Sequence, residues 1–264
     1  MTPPRRLSFL VLTLLTLPLA AIPLQEAPRA KRVLIVTGSD VPAHDWRATT
    51  PVTRRILEEA KKLEVFVSED TGVLESSALS RYDLIVLNYR NDASREKLSE
   101  AARKNLAAFV SGGKGLAAIH FAVAAESDWA EFQKLVGRTW VGKRSGEKAV
   151  KASGHGKRGP FKVIVTKKDH PITRGIQDFE ADDELYAQLA GDGPIEVLAT
   201  AHSADFSKRD EPMAWTLRYG EGRVFVTVLG HDVPARESEG FRKLLSQGCE
   251  WAAGAAPTPG DAGR

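Results

Sequence analysis

Four short stretches of the chain combine imidazole, carboxylate and aromatic side chains: His44-Asp45-Trp46, His120, Asp182-Asp-Glu-Leu-Tyr186 and Gly230-His231-Asp232. Neutral imidazoles and a carboxylate can bind one divalent metal such as zinc or manganese, or divide acid and base roles between them. The sequence has no His-Glu-x-x-His and no Cys-x-x-Cys, so a site made of these residues has to be assembled from distant segments. If they converge, His120, Glu184 and His231 are the candidates for catalysis, and His44, His120, Glu184 and His231 are the candidate metal ligands. His44, Trp46, Asp183 and Trp215 are the candidates for substrate contact, the tryptophans because sugar rings stack on flat apolar faces. Of the two adjacent carboxylates, Glu184 is favoured over Asp183 to reach the site. The other histidines read differently. His170 precedes Pro171 and suits a turn, His155 lies in a Gly-rich stretch and His202 ends a strand, so these are expected to be structural or solvent-facing.

One sheet edge would bring the candidates together. Phe109-Val-Ser-Gly-Gly-Lys-Gly-Leu-Ala-Ala-Ile-His120 reads as a helix end, a Gly-Gly stop and a wholly apolar run broken off by a histidine. That is the pattern of a buried central strand delivering a polar side chain to its carboxyl end. Arg223-Val-Phe-Val-Thr-Val-Leu-Gly-His231 repeats it, and in open α/β sheets this edge is where ligands bind. Lys31-Arg-Val-Leu-Ile-Val-Thr-Gly38 is a first strand, with His44 in the loop that follows. Thr50 as cap and Pro51 in the first turn predict a helix running to Lys62. Strands are predicted over 64–69 and 81–89, a helix capped by Ser94 and ending near Val110, and a short helix over 127–136. The segment Trp140 to Pro160 reads as a long loop or a pair of edge strands. A turn at His170 to Gly175 leads into Phe179 to Tyr186, strands follow over 161–166, 196–202 and 212–218, and Tyr219-Gly-Glu-Gly222 is a hairpin turn. A helix over 239–253 closes the fold. This alternation predicts an α/β fold with a doubly wound, mostly parallel sheet.

Composition narrows the function classes. With 264 residues, 42% of them hydrophobic, there is material for one sizeable core. A net charge of +3 with basic residues spread among acids argues against a nucleic-acid surface. Neither G-x-G-x-x-G after the first strand nor G-x-x-x-x-G-K-[ST] is present, so no nucleotide cofactor is expected, and the missing G-x-S-x-G removes a serine nucleophile elbow. The single cysteine, Cys249, excludes an intrachain disulfide and suits a packed helix face.

Arg5-Arg6 before the apolar run 7–21 reads as a signal peptide, which would make the protein exported, periplasmic or extracellular. Leu19 lies two before Ala21 and Pro18 two before Ala20, so no Ala-x-Ala site is clean, and an uncleaved run would act as a membrane tether. Residues 1–27 are thus a leader or tether with a linker, 31–254 the folded domain and 255–264 a disordered tail.

Several blocks then align, in order, with one family. Gly112-Gly-Lys-Gly-Leu-Ala-Ala-Ile-His120, His170-Pro-Ile-Thr-Arg-Gly175, Asp183-Glu-Leu-Tyr186, Glu211-Pro-Met-Ala-Trp215, Tyr219-Gly-Glu-Gly-Arg-Val-Phe225, Leu229-Gly-His-Asp232 and Trp251-Ala-Ala-Gly254 resemble the ThuA-like, trehalose-utilisation family over about residues 31 to 254. The resemblance implies a flavodoxin-like fold of the class I glutamine-amidotransferase-like group. In amidotransferases of that group a cysteine nucleophile sits at the turn where this chain has His120, which argues against glutaminase chemistry, and Cys249 lies in the final helix. The family's recurring polar positions fall here on His44, His120, Asp183, Glu184 and His231. The resemblance implies a role in sugar metabolism, with a small-molecule carbohydrate or keto-sugar as substrate of a hydrolase, lyase or isomerase. A non-catalytic carbohydrate-binding protein and a scaffold for a sugar oxidoreductase are the alternatives, and a homo-oligomer is compatible with all three.

Overall fold

The structure, a computed structural model, describes residues 29–59, 61–91, 97–142 and 152–257. The leader, the Ser94 cap and most of the tail lie outside the described residues. Eleven strands and five α-helices are present among the described residues: β1 (Lys31–Val36), α1 (Trp46–Glu59), β2 (Leu63–Ser68), β3 (Leu84–Leu87), α2 (Glu100–Ser111), β4 (Gly115–Ile119), α3 (Ala130–Val136), β5 (Gly154–His155), β6 (Gly159–Val165), β7 (Phe179–Asp183), β8 (Tyr186–Ala187), β9 (Glu196–His202), β10 (Asp210–Tyr219), β11 (Gly222–Thr227), α4 (Val233–Glu237) and α5 (Glu239–Ala252).

Nine strands form one sheet in the order β2-β1-β3-β4-β11-β10-β9-β6-β7. The first five are parallel, and the continuous apolar runs of β1, β3, β4 and β11 are those of strands covered on both faces, whereas β2 at the edge exposes Glu64. Beyond β11 the sheet continues antiparallel, through the hairpin turn expected at 219–222 and on to β7 at the far edge. The fold is therefore α/β and flavodoxin-like, with an antiparallel extension on one side. The core holds β1, β3, β4 and β11 together with Ile56 and Leu57 of α1, Leu106 of α2 and Phe241, Leu244 and Leu245 of α5.

Several boundaries differ from the sequence reading. The helix expected from Thr50 starts at Trp46, because the Asp45 carboxylate accepts the Ala48 N–H at 3.1 Å and so satisfies an otherwise orphaned donor. Pro51 then stands one turn inside the helix. The helix expected from Ser94 starts at Glu100, capped by Ser99, whose hydroxyl accepts the Ala102 N–H at 3.1 Å. The short helix expected from 127 begins at Ala130. Two 3-10 turns, Thr71–Glu75 and Ser77–Arg81, connect β2 to β3. Within the Trp140 to Pro160 segment, β5 pairs antiparallel with β8 and lies over the carboxyl edge of the sheet.

Candidate active site

Each cluster residue is delivered by a different segment. His44 stands in a turn between β1 and α1, where its N–H donates to the Val41 carbonyl at 2.8 Å. It is 5% exposed and its ring stacks on Phe121 with centroids 4.5 Å apart. His120 is the residue at which β4 breaks into a 3-10 turn (His120–Ala124), and it takes φ +48°. A positive φ is uncommon for a side chain of this bulk and costs roughly 1–3 kcal/mol, a strain that concentrates at functional turns. His231 follows Gly230 in the turn between β11 and α4, and Glu184 lies between β7 and β8.

These four converge. His120 Nε2 is 3.3 Å from His231 Nδ1. One Glu184 oxygen is 3.5 Å from each of those two nitrogens. The His44 ring centroid is 5.1 Å from that of His120 and 4.8 Å from that of His231. One ligand atom from each residue can be chosen so that all four lie within 4.8 Å of one another, and among the described residues this is the one such group. Four donors around a tetrahedral ion with bonds of ~2.0–2.1 Å sit about 3.3–3.4 Å apart. The His120, His231 and Glu184 separations match that spacing, and the full set of four lies within 4.8 Å.

The hydrogen bonds fix which atoms are free. His120 Nδ1 lies 2.7 Å from the Val228 carbonyl, which can only accept, so Nδ1 carries the proton and Nε2 presents a lone pair to the cluster. His44 Nδ1 is buried without a hydrogen-bond partner. A buried polar nitrogen left unpaired is costly to maintain. Burial, reinforced by His120 and His231, pushes the His44 imidazole down to about 2. Burial, then His120, also lowers His231. For Glu184 burial works toward protonation, but the neighbouring imidazoles, His120 first and then His155 and His231, outweigh it and hold the carboxyl below its usual range. The cluster thus offers lone pairs and one anionic oxygen, a donor set suited to a divalent transition metal.

Asp183, Trp46 and Trp215, expected as substrate contacts, are each engaged by the protein itself. Asp183 is buried, and its carboxylate accepts the N–H groups of Gly230 at 2.6 Å, His231 at 3.0 Å and Glu184 at 2.8 Å. It fastens the end of β7 to the turn that carries His231. Trp215 is fully buried, with its indole N–H donating to the Val136 carbonyl at 2.8 Å, so neither ring face is open. Trp46 is 5% exposed, its N–H donates to Asp40 at 2.8 Å, and the Arg47 guanidinium covers its ring at 4.3 Å. Cys249 is buried in α5, as expected of a packed helix face.

Three residues outside the predicted site list also stand beside the cluster. Tyr186 packs on His120 with centroids 4.2 Å apart, and Trp140 packs on Tyr186 at 4.7 Å. His155, expected to be structural or solvent-facing, has Nδ1 3.0 Å from Glu184 Oε1. Nothing in the Gly- and Lys-rich stretch around it signals that contact, because the β5–β8 pairing that makes it joins segments some thirty residues apart.

The family model described as "ThuA: Trehalose utilisation" matches residues 32–252. A ThuA-like protein from Parabacteroides merdae superposes with a TM-score of 0.75 at 27% identity, over 88% of this chain and 96% of the other. A ThuA-like protein from Bacteroides uniformis superposes with a TM-score of 0.67 at 18% identity, over 86% of this chain and 93% of the other. The fold also recurs inside a larger protein, a β-galactosidase from Bacillus circulans, with a TM-score of 0.55 at 13% identity, over 86% of this chain and 32% of that one. No curated protein matches the chain.

Proposed function

The chain belongs to the ThuA, trehalose-utilisation family, whose name suggests a role in sugar metabolism, and from that premise we propose that it is an enzyme acting on a carbohydrate or oxidised sugar at a metal site formed by His44, His120, Glu184 and His231. The observation that carries the reading is the inward lone pair of His120 Nε2, 3.3 Å from His231 Nδ1 and 3.5 Å from a Glu184 oxygen. Zinc or manganese suits three imidazoles and a carboxylate. When bound there, such an ion supplies Lewis-acid polarisation of a sugar oxygen and a more acidic bound water.

The chain's own groups supply the rest. The Val228 carbonyl holds the His120 ring in one tautomer, and the peptide N–H groups gathered by Asp183 hold His231 and Glu184 in register. The half-buried Trp140 ring, backed by the enclosed Tyr186 beside the cluster, is the type of surface on which a sugar ring packs. Export is part of the proposal, supported by Arg5-Arg6 and the apolar run after them.

The test is metal analysis of protein purified without chelator, together with sugars and 3-keto-sugars incubated with wild type and His120→Ala and products read by mass. Stoichiometric zinc or manganese and turnover lost in the variant are expected. Turnover that survives the substitution removes His120 from the mechanism, and sugar binding without turnover makes the protein a carbohydrate-binding module.

A further inference from the structure

Glu184 faces two ways. One of its oxygens points at His120 and His231, 3.5 Å from each, while the other lies 3.0 Å from His155 Nδ1. His155 Nδ1 is also 2.7 Å from the Gly156 carbonyl. Both neighbours of that nitrogen are acceptors, so the proton of the neutral ring sits on Nδ1, with its hydrogen bond to the Gly156 carbonyl and the Glu184 oxygen within hydrogen-bond distance beside it.

The placement of His155 is built. Directly across the β5–β8 pair it faces Tyr186, and its ring lies against Trp140 and Tyr186 with centroids 5.9 Å and 6.2 Å away. On one side the Ser153 hydroxyl donates to the Gln188 carbonyl at 2.9 Å and accepts the Val141 N–H at 3.0 Å. On the other, Arg158 forks onto Asp232 at 2.6 and 3.1 Å and reaches Asp182 at 2.9 Å. Gly154 lies so close under the Phe206 ring that a Cβ there would come within 2.1 Å of it. The segment carrying His155 is therefore fastened before and after the ring.

We propose that His155 is a positioning residue: by donating to one oxygen of Glu184 it turns the other toward His44, His120 and His231. The inference rests on the metal reading above for its purpose, but the His155–Glu184 bond is a separate claim. Carboxylates that ligate metals are themselves held by hydrogen bonds, and losing such a partner typically costs 10–100-fold in metal affinity.

The test uses two substitutions with opposite chemistry. His155→Phe keeps a ring against Trp140 and Tyr186 but donates nothing, whereas His155→Asn places an amide N–H where Nδ1 stood. Full-length protein is titrated with Co²⁺ against a competing chelator, and the visible absorption of the bound ion is followed. His155→Phe is expected to weaken Co²⁺ binding roughly 10–100-fold, and His155→Asn to stay within a few-fold of wild type. A Phe variant that binds like wild type overturns the proposal, and so does an Asn variant as weak as Phe. A parallel cycle on metal-free protein compares the Tm loss from His155→Phe in the wild-type and Glu184→Ala backgrounds. A smaller loss without Glu184 supports the positioning bond, and equal losses overturn it. Wild type that takes up no Co²⁺ while the cycle shows coupling means that the metal reading has failed and the His155 assignment stands.

Discussion

A proton placed on His44 would be both desolvated and repelled, since the ring is 5% exposed, stacked on Phe121 and flanked by two other imidazoles. Its folded pKa of about 2 lies below the ordinary 6.5, so as pH falls through about 6.5 the unfolded chain binds a proton that the folded chain refuses. The stability contributed by a neutral His44 is thus complete above that pH and lost below it, by ~2 kcal/mol at pH 5. His231 and Glu184, both lowered, act in the same direction, Glu184 only at more acid pH. In metal-free protein, His44→Leu should remove about 2 kcal/mol of the stability difference between pH 7 and pH 5, as read by urea unfolding at each pH. A wild-type-to-variant gap that does not change between the two pH values would refute this account of His44.

The turn between β11 and α4 is the element on which the site depends most. Gly230 takes φ +95°, and a Cβ built there would lie 2.6 Å from the Phe241 ring. Its N–H donates to Asp183 and its carbonyl accepts from Arg236 Nε at 2.9 Å, so the peptide is gripped from both sides. Arg236 is fully buried, and its acceptors among the described residues are neutral: besides Gly230, these are the Thr53 hydroxyl at 2.7 Å, the Asn88 side chain at 2.9 Å and the Thr49 carbonyl at 3.4 Å. Burial lowers its guanidinium to about 9, with Asp183 and Asp232 opposing the shift. Through these bonds α1, the end of β3 and the His231 turn form one polar knot beneath the cluster. Gly230→Ala should cost at least ~2 kcal/mol in chemical denaturation, from positive-φ strain and overpacking together, and should displace His231 from the cluster. A variant with unchanged denaturation midpoint would show that the turn relaxes freely.

At the scale of the whole molecule, the four cluster residues span positions 44 to 231 and are joined only when the sheet is complete. A metal at their centre would bind the folded chain and not the unfolded one. Zinc at 100 times its Kd should therefore stabilise by ~2.7 kcal/mol. For a chain of this size that raises Tm by roughly 5–10 °C, measured by calorimetry with and without chelator, and Tm values that coincide would count against a metal at the cluster. The sequence by itself determined the central parallel strands, because a continuous Val, Ile, Leu or Ala run ended by Thr, Asn or His is a local pattern, and so it located His120 and His231 at the ends of β4 and β11 and His44 in the loop after β1. Helix starts were less legible: Asp45 and Ser99 cap where Thr50 and Ser94 also qualify by residue type, and the choice depends on packing. Only the tertiary structure decided that Asp183 faces backbone N–H groups while Glu184 faces imidazoles, that Trp46 and Trp215 are enclosed, and that His155 comes within 3.0 Å of Glu184. Residue type and local periodicity carry the chain's immediate preferences; which neighbour a side chain meets across a hundred residues is set by how the antiparallel half of the sheet returns β7 and β8 to the parallel half's carboxyl edge.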